Sequence, residues 1–266
     1  MTIASEPHID LRTQMRAGGS VAVLTLSNPT RLNAIGSRMM AEFIEKAAEL
    51  SDDEGLRAVI VTGAGDRAFA GGVDIREMAK IERPGDARAF ITEVHRLCAA
   101  VRAIPVPVIA RIQGHCYGGA LELVAACDLR IASTDARFGM PEVRLGIPSV
   151  VEAALLPMLI GWGRTRRLLY TGETIDAHKA LAWGLVEEIA APEALDTAVE
   201  ACLADIFACG PMAIRQQKAL MLAWERLPLA EAVQAGVEAF AQAYEGDEPR
   251  TMMAEFLAAQ AARKRR

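Results

Sequence analysis

The sequence predicts an α/β layered fold followed by a helical region, and three observations support this prediction. Roughly the first 190 residues alternate short β-branched runs with amphipathic ones. Beyond Pro192 the strand-like runs stop, and helical patterns separated by Gly, Pro and Asp follow. Hydrophobic residues make up 52% of the 266-residue chain, which suffices for a large core and for apolar surface buried between subunits. We place the boundary between residues 1–195 and residues 196–266.

The first half of the α/β part begins with a strand, a helix and a second strand. Residues 21–26 (VAVLTL) and 57–63 (RAVIVTG) are β-branched runs bounded by turn residues, which is typical of strands. Between them, residues 37–50 place Met40, Phe43 and further apolar residues on one helical face. This order predicts a helix that packs on the sheet formed by the two strands.

The second half of the α/β part repeats the alternation. Residues 86–104 are amphipathic with a helical period, and an apolar strand follows from about Val106. The helix within GGALELVAACD, residues 118–128, leads into the strand DLRIAS. The helical region then comprises four segments, residues 192–209, 212–224, 229–244 and 251–263.

Composition and charge exclude several classes of protein. A formal net charge of -5 argues against a general nucleic-acid binder, whose affinity comes from phosphate contacts. The first twenty residues lack the apolar centre of a signal peptide, and no apolar run reaches the roughly 18 residues of a membrane span. The five cysteines form no CxxC pair, which indicates reduced thiols. We therefore expect a cytoplasmic protein with no nucleic-acid or membrane partner.

The first candidate site is the glycine-rich loop TGAGDRAFAGGVDIREM, residues 62–78. Its spacing fits neither GxGxxG nor GxxxxGK[ST], which argues against a nucleotide phosphate loop. It could be a plain structural turn. Alternatively, Gly71, Gly72 and Val73 bring backbone N–H groups close to a ligand oxygen, since glycine has no Cβ to prevent that approach.

The second candidate is Glu122 in the apolar helix of GGALELVAACD. A helix that starts near Gly119 leaves the N–H of this residue unpaired, at the end where the dipole favours negative charge. Glu122 lies three residues later on the same face, with an axial offset of about 4.5 Å. It could instead point to solvent or pair with Arg111 or Arg130, although its apolar neighbours favour burial.

The third candidate is Glu142, which follows Pro141 in RFGMPEVRLGIP. It could be an exposed glutamate in a turn. Two carboxylates in apolar settings could also serve as a general acid/base pair, because burial raises a carboxyl pKa toward neutrality.

Taken together, these motifs have a family resemblance. The runs RLNAI, RAFAGGVDIREM, GHCYGGALELVAACDLRIAS, ARFGMPEVRLGIP and LLYTGETIDAHKALAWGLVEEI occur in unbroken order over roughly residues 8–225. In this order and spacing the chain resembles the enoyl-CoA hydratase/isomerase (crotonase) family. The resemblance implies a spiral of β-β-α units with a C-terminal helical trimerisation region, assembled as a homotrimer or homohexamer.

The resemblance also implies a reaction and its residues. The N–H groups of Val73 and Gly119 would form an oxyanion hole for the thioester oxygen of an acyl-CoA substrate. Glu122 would hold and activate the water that attacks the β-carbon, and Glu142 would deliver the proton to the α-carbon. Since isomerases of the family generally keep only the second carboxylate, the pair favours an enoyl-CoA hydratase.

By the same resemblance the coenzyme A part of the substrate would bind at five positions, with no metal and no other cofactor. These positions are Arg31, Leu32, Ala70, Gly72 and Ile75. Arg31 could also be an ordinary exposed arginine. His115 and Cys116 next to the helix are interpreted as packing residues, because no positioned base for a cysteine nucleophile is evident.

The chain departs from the family pattern in two segments. Where most members read GAGGTQRL, this chain reads SVVEAALLP, in which Ser149 and Glu152 have the spacing of a helix capping box. Glu152 could alternatively be a third carboxylate lining the acyl pocket. At the C-terminus Ala259 replaces a lysine that reaches the coenzyme phosphate in the family. The basic run Arg263, Lys264, Arg265 and Arg266 could compensate, or could be a solvated helix end.

Three other functions remain open at this point. Thioester hydrolysis could use the same oxyanion hole and a carboxylate-held water, and double-bond isomerisation could use the same scaffold. A catalytically silent RNA-binding relative is a third alternative, against which both glutamates and the net charge argue.

Overall fold

A computed structural model describes residues 6–264 of the chain. Its strands are, in chain order, β1 (His8–Arg16), β2 (Gly19–Ser27), β3 (Leu56–Gly63), β4 (Ala68–Ala70), β5 (Val108–Ile112), β6 (His115–Tyr117), β7 (Leu129–Ser133), β8 (Arg137–Gly139), β9 (Thr174–Asp176) and β10 (Glu188–Ala190). They form two sheets. The larger has the order β1-β2-β3-β5-β7-β10, and the smaller has the order β4-β6-β8-β9.

The helices alternate with the strands up to β10 and then follow one another. They are α1 (Ser37–Ser51), α2 (Ile75–Met78), α3 (Pro84–Ala103), α4 (Gly119–Ala126), α5 (Leu156–Thr171, interrupted at Gly161), α6 (Ala177–Trp183), α7 (Leu195–Phe207), α8 (Pro211–Trp224), α9 (Leu229–Ala243) and α10 (Glu248–Arg263). Short 3-10 turns at Glu142–Leu145 and Val151–Leu155 lie between β8 and α5. The α/β architecture with C-terminal helices therefore agrees with the prediction.

Both faces of the larger sheet are covered, which explains why its central strands are apolar throughout. All of β3 is buried, and β2, β3, β5, β7 and β10 pair in parallel, as expected for a sheet with helices on both sides. On one face Phe43 of α1 and Leu97 of α3 belong to the main core. On the other face Val199 and Leu203 of α7 pack against strand residues such as Ile109.

The sequence analysis missed β1 and the three-residue strands. Strand β1, HIDLRTQMR, pairs only with β2 at the sheet edge, and most of its residues are partly or fully exposed. Its sequence therefore lacks the apolar signal of a central strand. Strands β4, β6 and β8 are too short to show a period of two residues.

The helix bounds differ from the predicted ones mainly at proline residues. Helix α3 begins at Pro84 instead of residue 86, and Pro at the first helical position is preorganised for a helix. The segment predicted as helix from residue 192 begins with a 3-10 turn, Pro192–Ala194, before α7. Helix α10 begins at Glu248, three residues earlier than predicted, with Pro249 in its first turn.

The helices after α7 carry much exposed apolar surface. Leu229 and Phe240 of α9 and Phe256 of α10 are more than 60% exposed.

In the part of the chain that the structure describes, no single helix is long and apolar enough to cross a membrane. Pro192–Phe207 and Pro211–Trp224 pass that test only when counted together, and they meet at a bend of 103°. The boundary between residues 195 and 196 stays a prediction. It falls at the first residue of α7, and this helix packs on the sheet.

Candidate active site

The three candidate segments of the sequence meet at one cavity of about 440 Å³. Val73 comes from the glycine-rich loop, Gly119 and Glu122 come from α4, and Glu142 comes from the 3-10 turn after β8. The rest of the lining is mainly apolar and includes Phe90, Ile91 and Val94 of α3 and Ile147, Pro148 and Val150. Cavities of about 700 and 520 Å³ lie elsewhere and contain none of these four residues, although residues 62–65 at the start of the glycine-rich loop border the larger one. The chemistry of the lining therefore distinguishes this cavity better than its size does.

Two glycines place the start of α4 against the cavity. Gly118 has φ +54° and ψ -129°, a conformation that residues with a Cβ rarely adopt. The N–H of Gly118 donates to the carbonyl of Gly139 at 2.9 Å, while the carbonyl of Gly118 accepts from the N–H groups of Leu121 and Glu122. The helix begins at Gly119, as predicted, so the N–H of this residue has no partner within the helix.

The loop residue Val73 is the neighbour of Gly119. A Cβ built on Gly119 would lie 2.9 Å from Cγ1 of Val73. The loop is fixed on both sides of Val73, because Ile35 donates to the carbonyl of Gly72 at 2.9 Å and Asp74 donates to the carbonyl of Ile35 at 3.0 Å. Within residues 6–264 neither the N–H of Val73 nor that of Gly119 donates to a protein acceptor. Two adjacent backbone donors are thus available to a bound oxygen.

Glu122 is buried, with 4% of its surface exposed, as its apolar neighbours had indicated. The alternative pairings are wrong, since Arg111 pairs with Asp196 and Arg130 pairs with Glu187. Burial, and then the charge of Glu142, raise the pKa of Glu122 to about 8. The backbone N–H groups of Val150 and Ala153 act in the opposite direction. At neutral pH this carboxyl group is therefore poised to gain or lose a proton.

Glu142 lies over the glycine pair at the other side of the site. Its Oε2 accepts a hydrogen bond from the hydroxyl of Ser149 at 2.8 Å. A Cβ added at Gly118 would clash with its Oε1. Glu142 is only partly buried, and together with Glu122 it lines the cavity beside the two free N–H groups. The arrangement can hold a polarised carbonyl oxygen and a water molecule, with carboxyl groups that accept and donate protons.

Comparison with known proteins identifies the family to which the chain belongs. The model of the family described as enoyl-CoA hydratase/isomerase matches residues 16–262. The chain belongs to the enoyl-CoA hydratase/isomerase family. A crotonyl-CoA hydratase of Syntrophomonas wolfei is 32% identical over 238 residues, which are 89% of this chain and 91% of the relative. A short-chain-enoyl-CoA hydratase of Clostridium acetobutylicum is 32% identical over 240 residues, 90% and 92% of the two chains.

The fold agrees with a solved structure of the enoyl-CoA hydratase/isomerase family. A crystal structure of an enoyl-CoA hydratase from Mycobacterium smegmatis superposes with a TM-score of 0.89 at 29% identity, covering 94% of this chain and 96% of that one. The predicted family and fold class are thus confirmed.

The positions that the family resemblance assigned to coenzyme A lie beside Val73 and outside the lining of the cavity. Leu32 accepts a hydrogen bond from the N–H of Gly71 at 2.7 Å, so the two loops run together. Ala70 and Gly72 are buried, whereas Ile75 is 57% exposed. Arg31 is exposed and its Nη1 donates to Asp74 at 3.2 Å, so the alternative of an ordinary exposed arginine stays open. This edge of the site stays a predicted coenzyme position.

The capping box predicted where the family usually has glycines is wrong. The hydroxyl of Ser149 is bound to Glu142, and Oε1 of Glu152 accepts from Nδ1 of His95 at 2.7 Å. The turn at Val151–Leu155 starts after Val150 and has no side-chain cap. The side chains of Ser149 and Glu152 thus form hydrogen bonds with residues outside the predicted capping box. Nor does Glu152 line the cavity, so its alternative role as an acyl-pocket carboxylate also lacks support.

The remaining predicted positions fall away from the cavity. Cys116 is fully buried in the core, and His115 stacks on Tyr117 with ring centroids 5.4 Å apart, which fits packing roles. Ala259, Arg263 and Lys264 lie exposed in α10 or at its end. Arg265 and Arg266 lie outside the described residues. Within residues 6–264 no group of three or more His, Cys, Asp or Glu side chains is placed to hold a metal ion.

Two parts of the site were missed by sequence reasoning. Phe90, Ile91 and Val94 of α3 form one wall of the cavity, and their i, i+1, i+4 spacing showed an apolar face without saying what it lines. Ser149 was assigned to a local cap, although it binds Glu142 seven residues earlier. Only the path of the chain between β8 and α5 brings these two side chains together.

The raised pKa of Glu122 predicts an effect on stability. An acid whose folded pKa of about 8 exceeds its unfolded value stabilises the fold at low pH, and this contribution is lost as the pH rises through 8. We therefore expect the Tm of Glu122→Gln to rise relative to wild type between pH 5 and pH 9. Differential scanning calorimetry at both pH values measures this. The exposed Glu49→Gln serves as control, and an equal Tm difference at both pH values for Glu122→Gln would contradict the prediction.

Proposed function

We propose that the chain is an enoyl-CoA hydratase, which adds water across the 2,3 double bond of a 2-enoyl-CoA thioester and releases the 3-hydroxyacyl-CoA. The observation that carries the proposal is the pair Glu122 and Glu142 at the same cavity as the unused N–H groups of Val73 and Gly119. The crotonyl-CoA and short-chain-enoyl-CoA hydratases, each about a third identical to this chain, support the same reaction.

The two N–H groups stabilise the charge that develops during the addition. The thioester oxygen accepts hydrogen bonds from Val73 and Gly119. When the nucleophile bonds to the β-carbon, the α,β double bond shifts toward an enolate and negative charge accumulates on this oxygen. Donors that are already in place stabilise that charge without reorganisation. The start of α4 at Gly119 adds the positive end of the helix dipole.

The two carboxyl groups handle the water and the proton. Glu122 in its ionised form holds the water and accepts its proton as the oxygen bonds to the β-carbon. Glu142 in its protonated form gives its proton to the α-carbon, and both groups contact the same water. The proton that Glu122 has accepted then replaces the one that Glu142 has lost, so each turnover consumes one water and no other proton. The burial that raises the pKa of Glu122 makes it a stronger base near neutrality than a carboxylate in water. The serine hydroxyl at 2.8 Å orients Glu142.

The cavity indicates an uncharged acyl group of limited size. Apart from the two glutamates and Arg88 its lining is apolar, and Val73 occupies a place where alanine is usual in the family. The coenzyme A part would lie along Arg31, Leu32, Ala70, Gly72 and Ile75. It belongs to the substrate, and the proposal includes no metal or other cofactor.

The assembly and compartment are part of the same proposal. Exposed apolar side chains on α9 and α10 support a homotrimer or homohexamer, because such surface is costly in water. We place the protein in the cytoplasm, without a nucleic-acid or membrane partner.

The test follows the conjugated double bond directly. We expect purified protein to remove the ultraviolet absorbance of crotonyl-CoA and of branched 2-enoyl-CoAs, with no release of free thiol. Thiol release detected with a thiol reagent would instead indicate thioester hydrolysis, and migration of the double bond would indicate an isomerase. No turnover of any enoyl-CoA, together with RNA binding, would replace the proposal with a catalytically silent relative.

A further inference from the structure

A strained turn lies directly behind Glu122. In the 3-10 turn Val151–Leu155, Val151 has φ +38°, in the left-handed region that β-branched residues rarely enter. The family commonly has glycine in this stretch, so the chain keeps an unusual backbone conformation without the residue that adopts it at low cost. Backbone strain of this kind persists only when surrounding contacts hold it.

The turn also packs beside Glu122. It lies against α4, which carries Glu122, and against α3. Val150, directly before the turn, lines the same cavity as Glu122, and its carbonyl accepts from the N–H of Ala153 at 2.9 Å. A shift of the turn would therefore change the packing around the carboxylate that binds water in the proposed reaction.

One side-chain contact ties this turn to α3. Oε1 of Glu152 accepts a hydrogen bond from Nδ1 of His95 at 2.7 Å. Glu152 is 8% exposed, and its Oε2 is buried without a partner among the described residues. Its other titratable neighbours are Glu122 and the thiol of Cys98, whose pKa burial raises well above the usual value, so that neither supplies a positive charge. The bond to His95 is thus the contact that holds a buried carboxylate in place.

We propose that His95 and Glu152 are positioning residues for Glu122. Their hydrogen bond ties the turn Val151–Leu155 to α3, holds Val151 in its strained conformation, and so keeps the turn packed against α4 at the Glu122 carboxylate. This inference rests on the hydratase function proposed above. Neither side chain lines the cavity, so both act through Glu122 and do not touch the substrate.

The experiment breaks the bond from the half-exposed side, where folding tolerates substitution. His95→Ala removes the donor, His95→Asn keeps an N–H near the position of Nδ1, and Arg96→Ala removes an exposed ion pair next to it on α3. We expect His95→Ala to lower kcat for crotonyl-CoA about tenfold with KM changed less than twofold, since small displacements of a catalytic group reduce rate more than binding. His95→Asn should recover most of the loss, and Arg96→Ala should match wild type. Wild-type kcat in His95→Ala, or equal losses in His95→Ala and His95→Asn, would overturn the proposal.

A second substitution tests the strain itself. Glycine adopts φ +38° without a Cβ penalty, so Val151→Gly should restore kcat in the His95→Ala background. A double variant as slow as His95→Ala would show that the bond does not act through this turn. If wild-type protein hydrates no enoyl-CoA, the proposed function fails, and amide hydrogen exchange of residues 150–153 then decides the positioning role by itself. Exchange in His95→Ala no faster than in wild type would overturn the role.

Discussion

We expect Glu142→Gln to lower kcat for the hydration of crotonyl-CoA about 1,000-fold, with KM changed less than threefold. General acid–base catalysis by one positioned group contributes roughly 100- to 10,000-fold. Glutamine keeps the size of the side chain and can still accept the hydrogen bond from Ser149, but it cannot deliver a proton to the α-carbon. Because the variant preserves packing at the partly buried turn, the loss should appear in turnover. Steady-state kinetics, followed by the ultraviolet absorbance of the conjugated thioester, measures it.

Matched variants distinguish the loss of proton transfer from a change in the position of the carboxyl groups. We expect Glu122→Gln to lose activity to a similar extent, since the water would lose its base. The double variant should be little worse than either single one, because groups that act on one water are not additive. Ser149→Ala keeps both carboxylates and should cost about tenfold or less. Near-full activity in either glutamine variant would contradict the mechanism with two carboxylates.

Local patterns predicted those parts of the site that depend on a few neighbouring residues. Paired glycines before an apolar run place the start of α4 at Gly119, and the apolar neighbours of Glu122 indicate its burial. The separation of Glu122 and Glu142 in the sequence does not predict that their side chains meet. Their placement at one site was predicted from the family resemblance. A helix period and a turn residue are local properties, whereas the closeness of two turns depends on the sheet between them.

Contacts across large sequence distances could not be predicted in the same way. Ser149 and Glu152 fit a local capping box, but each side chain had a better-placed partner in space. His95 lies 57 residues before Glu152, and only the packing of α3 on the turn brings the two together. The same limit applies to the fold. Strand β3 was predicted because both of its faces are buried, and the edge strand β1 was missed because much of it is exposed.

The second large effect concerns the backbone donor at Gly119, which only proline removes. Proline is tolerated at the first position of a helix, and Gly118 at ψ -129° is outside the helical region that a following proline disfavours. Because a Cβ at Gly119 would lie 2.9 Å from Cγ1 of Val73, both variants are made in a Val73→Ala background. Gly119→Ala then adds a Cβ and keeps the N–H, whereas Gly119→Pro adds a ring and loses it.

We expect Gly119→Pro to lower kcat/KM for crotonyl-CoA roughly 100- to 1,000-fold below Gly119→Ala in that background, the usual cost of one oxyanion donor. Steady-state kinetics measures the ratio, and circular dichroism melting verifies that both variants are folded. A ratio near one between two folded variants would mean that the N–H of Gly119 does not bind the thioester oxygen. The helix start would then serve only to place Glu122, and the oxyanion would depend on Val73 alone. A large ratio would show that Gly119 supplies the N–H donor for the thioester oxygen and also begins the helix that positions Glu122 one turn later.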